Sequence, residues 1–358
     1  VRLYNASGQS LGSDSNGGPG NASLLSDYEL PETGTYYARV SKHYWSQTQE
    51  IGNYQLRVDL ARGIDLESDR NYSNDTIATA NPVSLTVSGA GEVSGAIAGT
   101  VMSAEGTNRD EDVYSLGRLS AGNVVDLEIT LPSGSTLAGQ LRIRNSAGDV
   151  VAEKIADGSP LQWTVTGLDD YYAEVTSGTV RDGRFYEMLP SQSWDNAEAT
   201  AQLSGGHLVT INDAAEQAWI AETFGASGNF LIGLSDTETE GTFVWADGTP
   251  LSYTNWATGE PNNGNSWDYA YLETSTGLWQ DYHSGALQSL SERPDPLGRT
   301  SGGPGPLAQY VLGVTVSDVV APTVTDVTRF PGDGQSGDEL ASEFQVIFSE
   351  DMDPLSVN

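Results

Sequence analysis

Apolar and polar residues alternate in short runs along most of this chain, the pattern of strands with one buried face. Near the start, VRLYN (1–5), GTYYARV (34–40) and NYQLRVDL (53–60) read this way, with Ser13 to Asn21 as a loop between them. VSGAIAGTV (93–101), DEDVYSLGRLSAGNVVDLEI (110–129), LRIRN (141–145) and DDYYAEV (169–175) continue the pattern. The period then changes. Trp194, Ala197, Ala201 and Leu203 fall near helical spacing, as do Ala218, Ile220, Ala221 and Phe224, which predicts two short amphipathic helices over 193–203 and 213–224. Strands follow at 230–234, 243–245, 269–273 and 277–280, and Tyr310 to Val316 is expected to close this unit. Residues 285–307 are rich in Ser, Gly and Pro and read as an inserted flexible loop. After Ala321-Pro322, TVTDVTRF and SEFQVIFSEDMD are again strand-like.

Part of the β pattern repeats. VRLYNASG (1–8) aligns with LRIRNSAG (141–148), and GTYYARV (34–40) with DDYYAEV (169–175). One β-domain therefore occurs twice, as a partial copy over 1–58 and a complete copy over 66–178.

Composition narrows the function classes. The chain has 358 residues, 49 acids against 16 Lys and Arg, and a net charge of −33. That excess repels nucleic acid and anionic membranes, so no nucleic-acid partner is expected. The acids are spread along the chain, which suits a folded protein in a cation-rich medium. With no cysteine there is no disulfide, zinc–thiolate site or thiol nucleophile. No run of about 18 apolar residues suggests membrane insertion. No signal peptide is visible, and the chain reads as a fragment of a larger protein.

The chemistry concentrates in WATGEPNNGNSWDYAYLETSTGLWQD (256–281). Glu260, Asn262, Asp268, Gln280 and Asp281 offer hard oxygen donors on a Gly/Asn-rich loop and the strand after it, the ligand type of calcium. Here the sequence resembles the C-type lectin domain, whose calcium site reads E-P-N, an acid eight residues after the Glu, then W-N-D. Gln280 departs from the Asn of that pattern. Arg184-Phe185-Tyr186, the GGHL turn (205–208), Ile232-Gly233-Leu234 and Phe243-Val244-Trp245 carry the resemblance upstream, over 183–316.

The resemblance implies one calcium ion held by Glu260, Asn262, Asp268, Gln280 and Asp281, whose oxygens also hydrogen-bond sugar hydroxyls. It implies a cis peptide before Pro261, and mannose, glucose or fucose as ligand. Trp267 packs either on a sugar face or over the core. Asp236, Glu240 and Asn263 match three positions of the family's auxiliary calcium site, where Tyr269 replaces a fourth acid. The complete β-domain resembles the bacterial pre-peptidase C-terminal domain, a jelly-roll-like β-sandwich, through Asn74-Asp75-Thr76, Gly95, Gly99, Asp110, Asp112, Tyr114, Gly122 and Tyr171-Tyr172. Residues 322–358 resemble the start of a bacterial Ig-like repeat.

Other chemistry is weak. The three histidines (43, 207 and 283) form no triad pattern. The pairs Asp110/Asp112 and Asp169/Asp170 read as solvated turns rather than hydrolase carboxylates. No phosphate loop, zinc motif or dinucleotide fingerprint appears. The expected protein is multidomain and mostly β, with an α+β C-type lectin-like fold of two short helices, antiparallel sheets and a long loop region. It is secreted or at the surface of a bacterial cell, and it binds glycan or polysaccharide through calcium in an adhesin-like parent. A lectin-fold spacer that binds cell-surface proteins is the second reading. A non-catalytic part of a secreted peptidase or glycan hydrolase is the third. No catalytic residue is assigned.

Overall fold

The structure is a computed structural model. It describes residues 1–26, 28–41, 53–60, 62–104, 109–262, 264 and 266–318, and the backbone alone at Gly20, 324–330 and 343–348. The fold is mostly β, with two short α-helices.

The repeat read from the sequence extends to strand register. In the first copy, Arg2–Asn5 pairs antiparallel with Tyr36–Arg39, setting Leu3 opposite Ala38. In the second, Gly139–Arg144 pairs with Asp169–Ser177, setting Ile143 opposite Ala173. Even the turns match. Asn5 Oδ1 accepts from the backbone N–H of Ser7 and Gln9, and Asn145 Oδ1 from Ala147 and Asp149. An Asn side chain that caps its own turn fixes the hairpin locally in both copies. NYQLRVDL does not become a strand. Residues 53–60 run without ladder pairing, and Tyr54, Leu56, Val58 and Leu60 are exposed.

The second copy is built from two sheets. One orders Val150–Ile155, Gly139–Arg144, Asp169–Ser177, Asp112–Leu119 and Asn81–Pro82. The other orders Leu161–Thr164, Asn123–Thr130, Gln309–Asp318, Glu92–Thr100 and Asp65–Leu66, with Thr86–Gly89 beside Glu92–Thr100. Their inward side chains, among them Ile97, Tyr114, Leu127, Leu141, Ile143, Leu312 and Val314, share one buried core.

This arrangement corrects the expected chain path. Gln309–Asp318 was expected to close the lectin-like unit. Instead it lies between Glu92–Thr100 and Asn123–Thr130, antiparallel to both, at the centre of the second sandwich sheet. The α+β unit is therefore inserted into the sandwich, between the strands Asp169–Ser177 and Gln309–Asp318. Its own closing strand is Leu287–Pro294, inside the stretch read as a flexible loop. That strand pairs antiparallel with Arg184–Gln192 and parallel with Phe230–Ser235. The misreading has a physical cause. LQSLSERP is rich in polar residues, but Ser289, Ser291, Glu292 and Arg293 are buried, the last three against Glu187 carbonyl, Thr210 N–H and the Glu187 carboxylate.

Within the inserted unit both helices form where the spacing predicted. Trp194–Leu203 starts at Ser193, whose side chain accepts from Asn196 N–H. Ala214–Phe224 starts at Asp213, whose carboxylate accepts from Ala215 and Glu216 N–H. Such caps satisfy N–H groups that have no helical partner. Ala197, Ala201, Ile220 and Phe224 face inward, but Leu203 and Ala218 are exposed, so the buried stripes are narrower than expected. A nine-stranded sheet orders Leu278–Tyr282, Tyr269–Glu273, Phe230–Ser235, Leu287–Pro294, Arg184–Gln192, Thr179–Arg181 and Ser301–Gly302, with His207–Leu208 and Val244–Trp245 attached at its sides.

Entry to and exit from this unit run side by side, since Val180 pairs with Gly302 and Arg181 with Ser301. Gly178 begins the crossing, and a Cβ there would lie 2.3 Å from the Phe185 ring. Arg142 of the sandwich bonds Glu174 of its own sheet and Glu187 of the inserted unit, and Arg293 joins Glu187 from the other side at 3.1 Å. These charges are shielded from water and paired, which makes the junction costly to open. At the C-terminal end Val324–Phe330 and Glu343–Phe348 form an antiparallel pair.

Candidate functional site

Packing of aromatic rings sets the frame of the 256–281 loop. Trp279 is fully buried, meets Trp245, Tyr253 and Trp256 edge to face, and donates its indole N–H to Gln217 Oε1 at 2.7 Å. Ala257 N–H donates to Trp279 carbonyl at 2.8 Å, and Trp279 N–H to Asn255 carbonyl at 2.8 Å. The start of the loop is thereby laced along the strand that carries Gln280 and Asp281.

From that anchor the chain turns at Glu260-Pro261, whose peptide bond is cis. Asn262 N–H donates to Asp281 Oδ2 at 3.0 Å, and the Asn262 amide donates to Glu260 Oε1 at 2.5 Å. Three of the five expected donors are thus in direct contact. Asp281 is buried because strand alternation puts it on the same face as Trp279. Glu260 Oε2 is enclosed and receives no hydrogen bond. Partial burial, with the Asp281 carboxylate beside it, raises the Glu260 pKa. Two carboxylates held this close repel unless a proton or a cation lies between them.

The remaining donors sit at the rim. Asp268 is half-buried just ahead of Tyr269–Glu273, and its carbonyl accepts from Asp236 N–H at 3.0 Å. Gln280 faces away from Asp281 along the strand, and its amide donates to Glu273 Oε2 at 2.8 Å. The sequence reading missed Glu273. The hairpin register, which sets Tyr271 opposite Gln280 and Glu273 opposite Leu278, makes Glu273 a diagonal neighbour of Gln280. Trp267 is 36% exposed and meets His283 in a T-shaped contact, ring centroids 6.0 Å apart. Among the described residues, Glu260, Asp268 and Asp281 do not form a triad with carboxylate oxygens all within 4.8 Å of one another.

The expected auxiliary site is described in part. Asp236 is buried, accepts from Gly241 N–H at 2.8 Å through Oδ2, and keeps Oδ1 without a hydrogen bond. Glu240 is exposed, and Asn263 lies outside the described residues. His207 Nδ1 contacts Glu198 Oε1 at 2.6 Å, a structural pairing in the GGHL turn, and His283 Nδ1 contacts Ser284 Oγ at 2.6 Å. His43 is outside the described residues. Asp110 and Asp112 are not on solvated turns, being 3% and 0% exposed.

The donor set fits a hard cation. It is all oxygen, contains adjacent carboxylates, and leaves an enclosed carboxylate oxygen without a partner. Among the described residues no helix is long and apolar enough to cross a membrane.

Residues 190–289 match the model of the lectin C-type domain. Lectin BRA-3 of Megabalanus rosa is 35% identical over 105 residues, 28% of this chain and 64% of that protein. C-type lectin domain family 17, member A, of Homo sapiens is 37% identical over 101 residues, 28% of this chain and 26% of that protein. The mannose-binding protein of Gallus gallus is 40% identical over 78 residues, 22% of this chain and 30% of that protein. The chain therefore spans less than two thirds of the length of these curated relatives. Among solved structures, the mouse scavenger receptor C-type lectin carbohydrate-recognition domain is 31% identical, with a TM-score of 0.29 over 31% of this chain and 89% of that one.

Proposed function

We propose that residues 190–289, a C-type lectin domain, recognise carbohydrate through a calcium ion held by Glu260, Asn262, Asp268, Gln280 and Asp281. The observation that carries this reading is the contact of Glu260 and Asp281 with Asn262 between them, which leaves Glu260 Oε2 without a hydrogen bond. When bound, the ion supplies open coordination positions for two vicinal sugar hydroxyls. The chain's own groups do the rest. Asp281 fixes the turn through Asn262 N–H, Asn262 orients Glu260, and Glu273 holds the Gln280 amide. Trp267, exposed beside the loop, offers an apolar face to the sugar ring.

The ligand class is mannose, glucose or fucose, following the Glu-Pro-Asn triplet. No bond is broken by these residues. The parent is read as an exported bacterial adhesin-like protein, with a sandwich of the pre-peptidase C-terminal kind and an Ig-like repeat beyond it. A single shallow site gains useful strength from multivalency. Asp236 and Glu240 are proposed as ligands of an auxiliary ion with Asn263.

The test is retention of the full chain on immobilised mannose, with elution by chelator. Wild type is expected to be retained in calcium and released by chelation, and Glu260→Gln to flow through. Failure of wild type to bind mannose, glucose and fucose in millimolar calcium would overturn the reading.

A further inference from the structure

The repeat has a third matching segment, which the inserted unit separates from the rest of the second copy. NYQLRVDL (53–60) aligns with QYVLGVTV (309–316), setting Tyr54 on Tyr310, Leu56 on Leu312 and Val58 on Val314. In the second copy this segment is the strand Gln309–Asp318, flanked by Glu92–Thr100 and Asn123–Thr130. Tyr310, Leu312 and Val314 are no more than 1% exposed there. In the first copy the same side chains are open to solvent. Tyr54 is 70% exposed, Leu56 45%, Val58 65% and Leu60 76%. Val40, aligned with the fully buried Val175, is exposed as well.

The backbone of this segment is open too. Among the described residues, no backbone hydrogen bond joins 53–60 to another strand. Unpaired N–H and C=O groups beside exposed apolar side chains form a template for a further strand. The polar residues fix which strand fits. Arg57 Nε lies 2.7 Å from Asp59 Oδ2, and Gln309 Nε2 donates to Asp59 Oδ1 at 3.0 Å. In an antiparallel pair of two copies centred on Val58, Arg57 faces the second copy's Asp59, and Asp59 faces its Arg57. Leu56 then faces Leu60, and Val58 faces itself. Opposite charges and apolar pairs set directly across a ladder are both stabilising. Other registers lose this match. A slip of one residue sets Val58 against Arg57. A slip of two sets Arg57 against Arg57 or Asp59 against Asp59, which repel.

We propose that 53–60 is the docking edge for a second copy of this chain, paired antiparallel about a two-fold axis at Val58. One self-complementary patch serves both copies, as a closed dimer requires. Each copy thereby gains a partner strand for the segment whose counterpart, Gln309–Asp318, has two. The net charge of −33 on each chain opposes association. At physiological salt that repulsion is screened beyond about 8 Å, whereas the Arg57–Asp59 contacts across the pair are close. The dimer presents two lectin domains on one particle and so binds a multivalent glycan by avidity. That consequence alone rests on the carbohydrate reading, and the pairing does not.

The experiment uses the full chain at physiological salt. Sedimentation equilibrium of the wild type should show a reversible dimer at high micromolar concentration. Arg57→Asp should weaken it at least tenfold, and adding Asp59→Arg to that variant should restore it. The chain has no cysteine, so Val58→Cys places a single thiol at the two-fold axis. Directly opposed strand residues lie within disulfide reach. In air, Val58→Cys should therefore form a linked dimer at least tenfold faster than Asn53→Cys, which this register sets far from its own copy. A monomer at every concentration, equal linking of the two cysteine variants, or failure of the double charge swap to restore the dimer would overturn the proposal, whatever mannose binding shows. Hydrogen exchange over 53–60 that slows only when a peptide of residues 90–101 is added would assign the edge to a different strand and overturn self-pairing too.

Discussion

The lectin loop and the sandwich interior use the same donors in opposite settings. In the loop, Asn262 is exposed, Glu260 and Asp268 are half-buried, and Trp267 stands beside them at the surface. In the sandwich, Asn74 and Asp112 are fully buried beneath Tyr114 and Tyr310. An ion in the first setting keeps positions open to a ligand. The second set has only protein around it, with Tyr310 and Asn74 bonding Asp112. The same residue types therefore occur at a surface loop and in a core, and composition cannot tell the two settings apart.

Asp268→Ala should break the loop half of this comparison most sharply. We expect calcium-dependent mannose binding to weaken at least a hundredfold, roughly 3 kcal/mol, with the chelated melting temperature unchanged. Gly99→Ala should do the reverse. Crowding Glu67 and Tyr310 should destabilise the sandwich by about 2 kcal/mol in chemical denaturation and leave mannose affinity in saturating calcium unaltered.

Glu292 separates pH sensitivity from both sites. It is buried in the inserted unit, on Leu287–Pro294, accepts from Thr210 N–H at 2.9 Å, and burial raises its pKa to about 7. A carboxyl raised above its unfolded value stabilises fully below the unfolded value, near 4.5, and loses that contribution as pH rises through 7. Glu292→Gln should flatten this decline and stabilise the domain at pH 8 by on the order of 1–2 kcal/mol, read as denaturant midpoint against pH. The smallest effect is expected of Gln280→Asn. Restoring the shorter amide releases Glu273 and should change calcium affinity by less than about tenfold, measured by calorimetry.

Local features were legible in the sequence, and long-range pairing was not. Both helices were legible because apolar spacing is a local matter, and the structure starts them at the capping residues Ser193 and Asp213. The hairpin turns at Asn5 and Asn145 showed as a repeat for the same reason. The Glu-Pro-Asn triplet and Trp279 to Asp281 marked the loop, and Glu260, Asn262 and Asp281 do meet there. The exchange of Leu287–Pro294 for Gln309–Asp318 as closing strand could not be read. Gln309–Asp318 alternates as any strand does, and its partners Glu92–Thr100 lie more than two hundred residues earlier. Asp110 and Asp112 were misread for the same reason, since only the fold brings Glu67, Asn74 and Tyr310 around them. Glu273 was hidden until the hairpin register placed it beside Gln280.

The most direct test of calcium-dependent recognition is calorimetric titration of the chelated full chain with calcium, then with mannose in calcium, for wild type and Asp268→Ala. The account predicts that wild type binds mannose only after calcium, and that the variant loses the mannose heat. Mannose heat in chelator, or equal mannose heat in the variant, would contradict it.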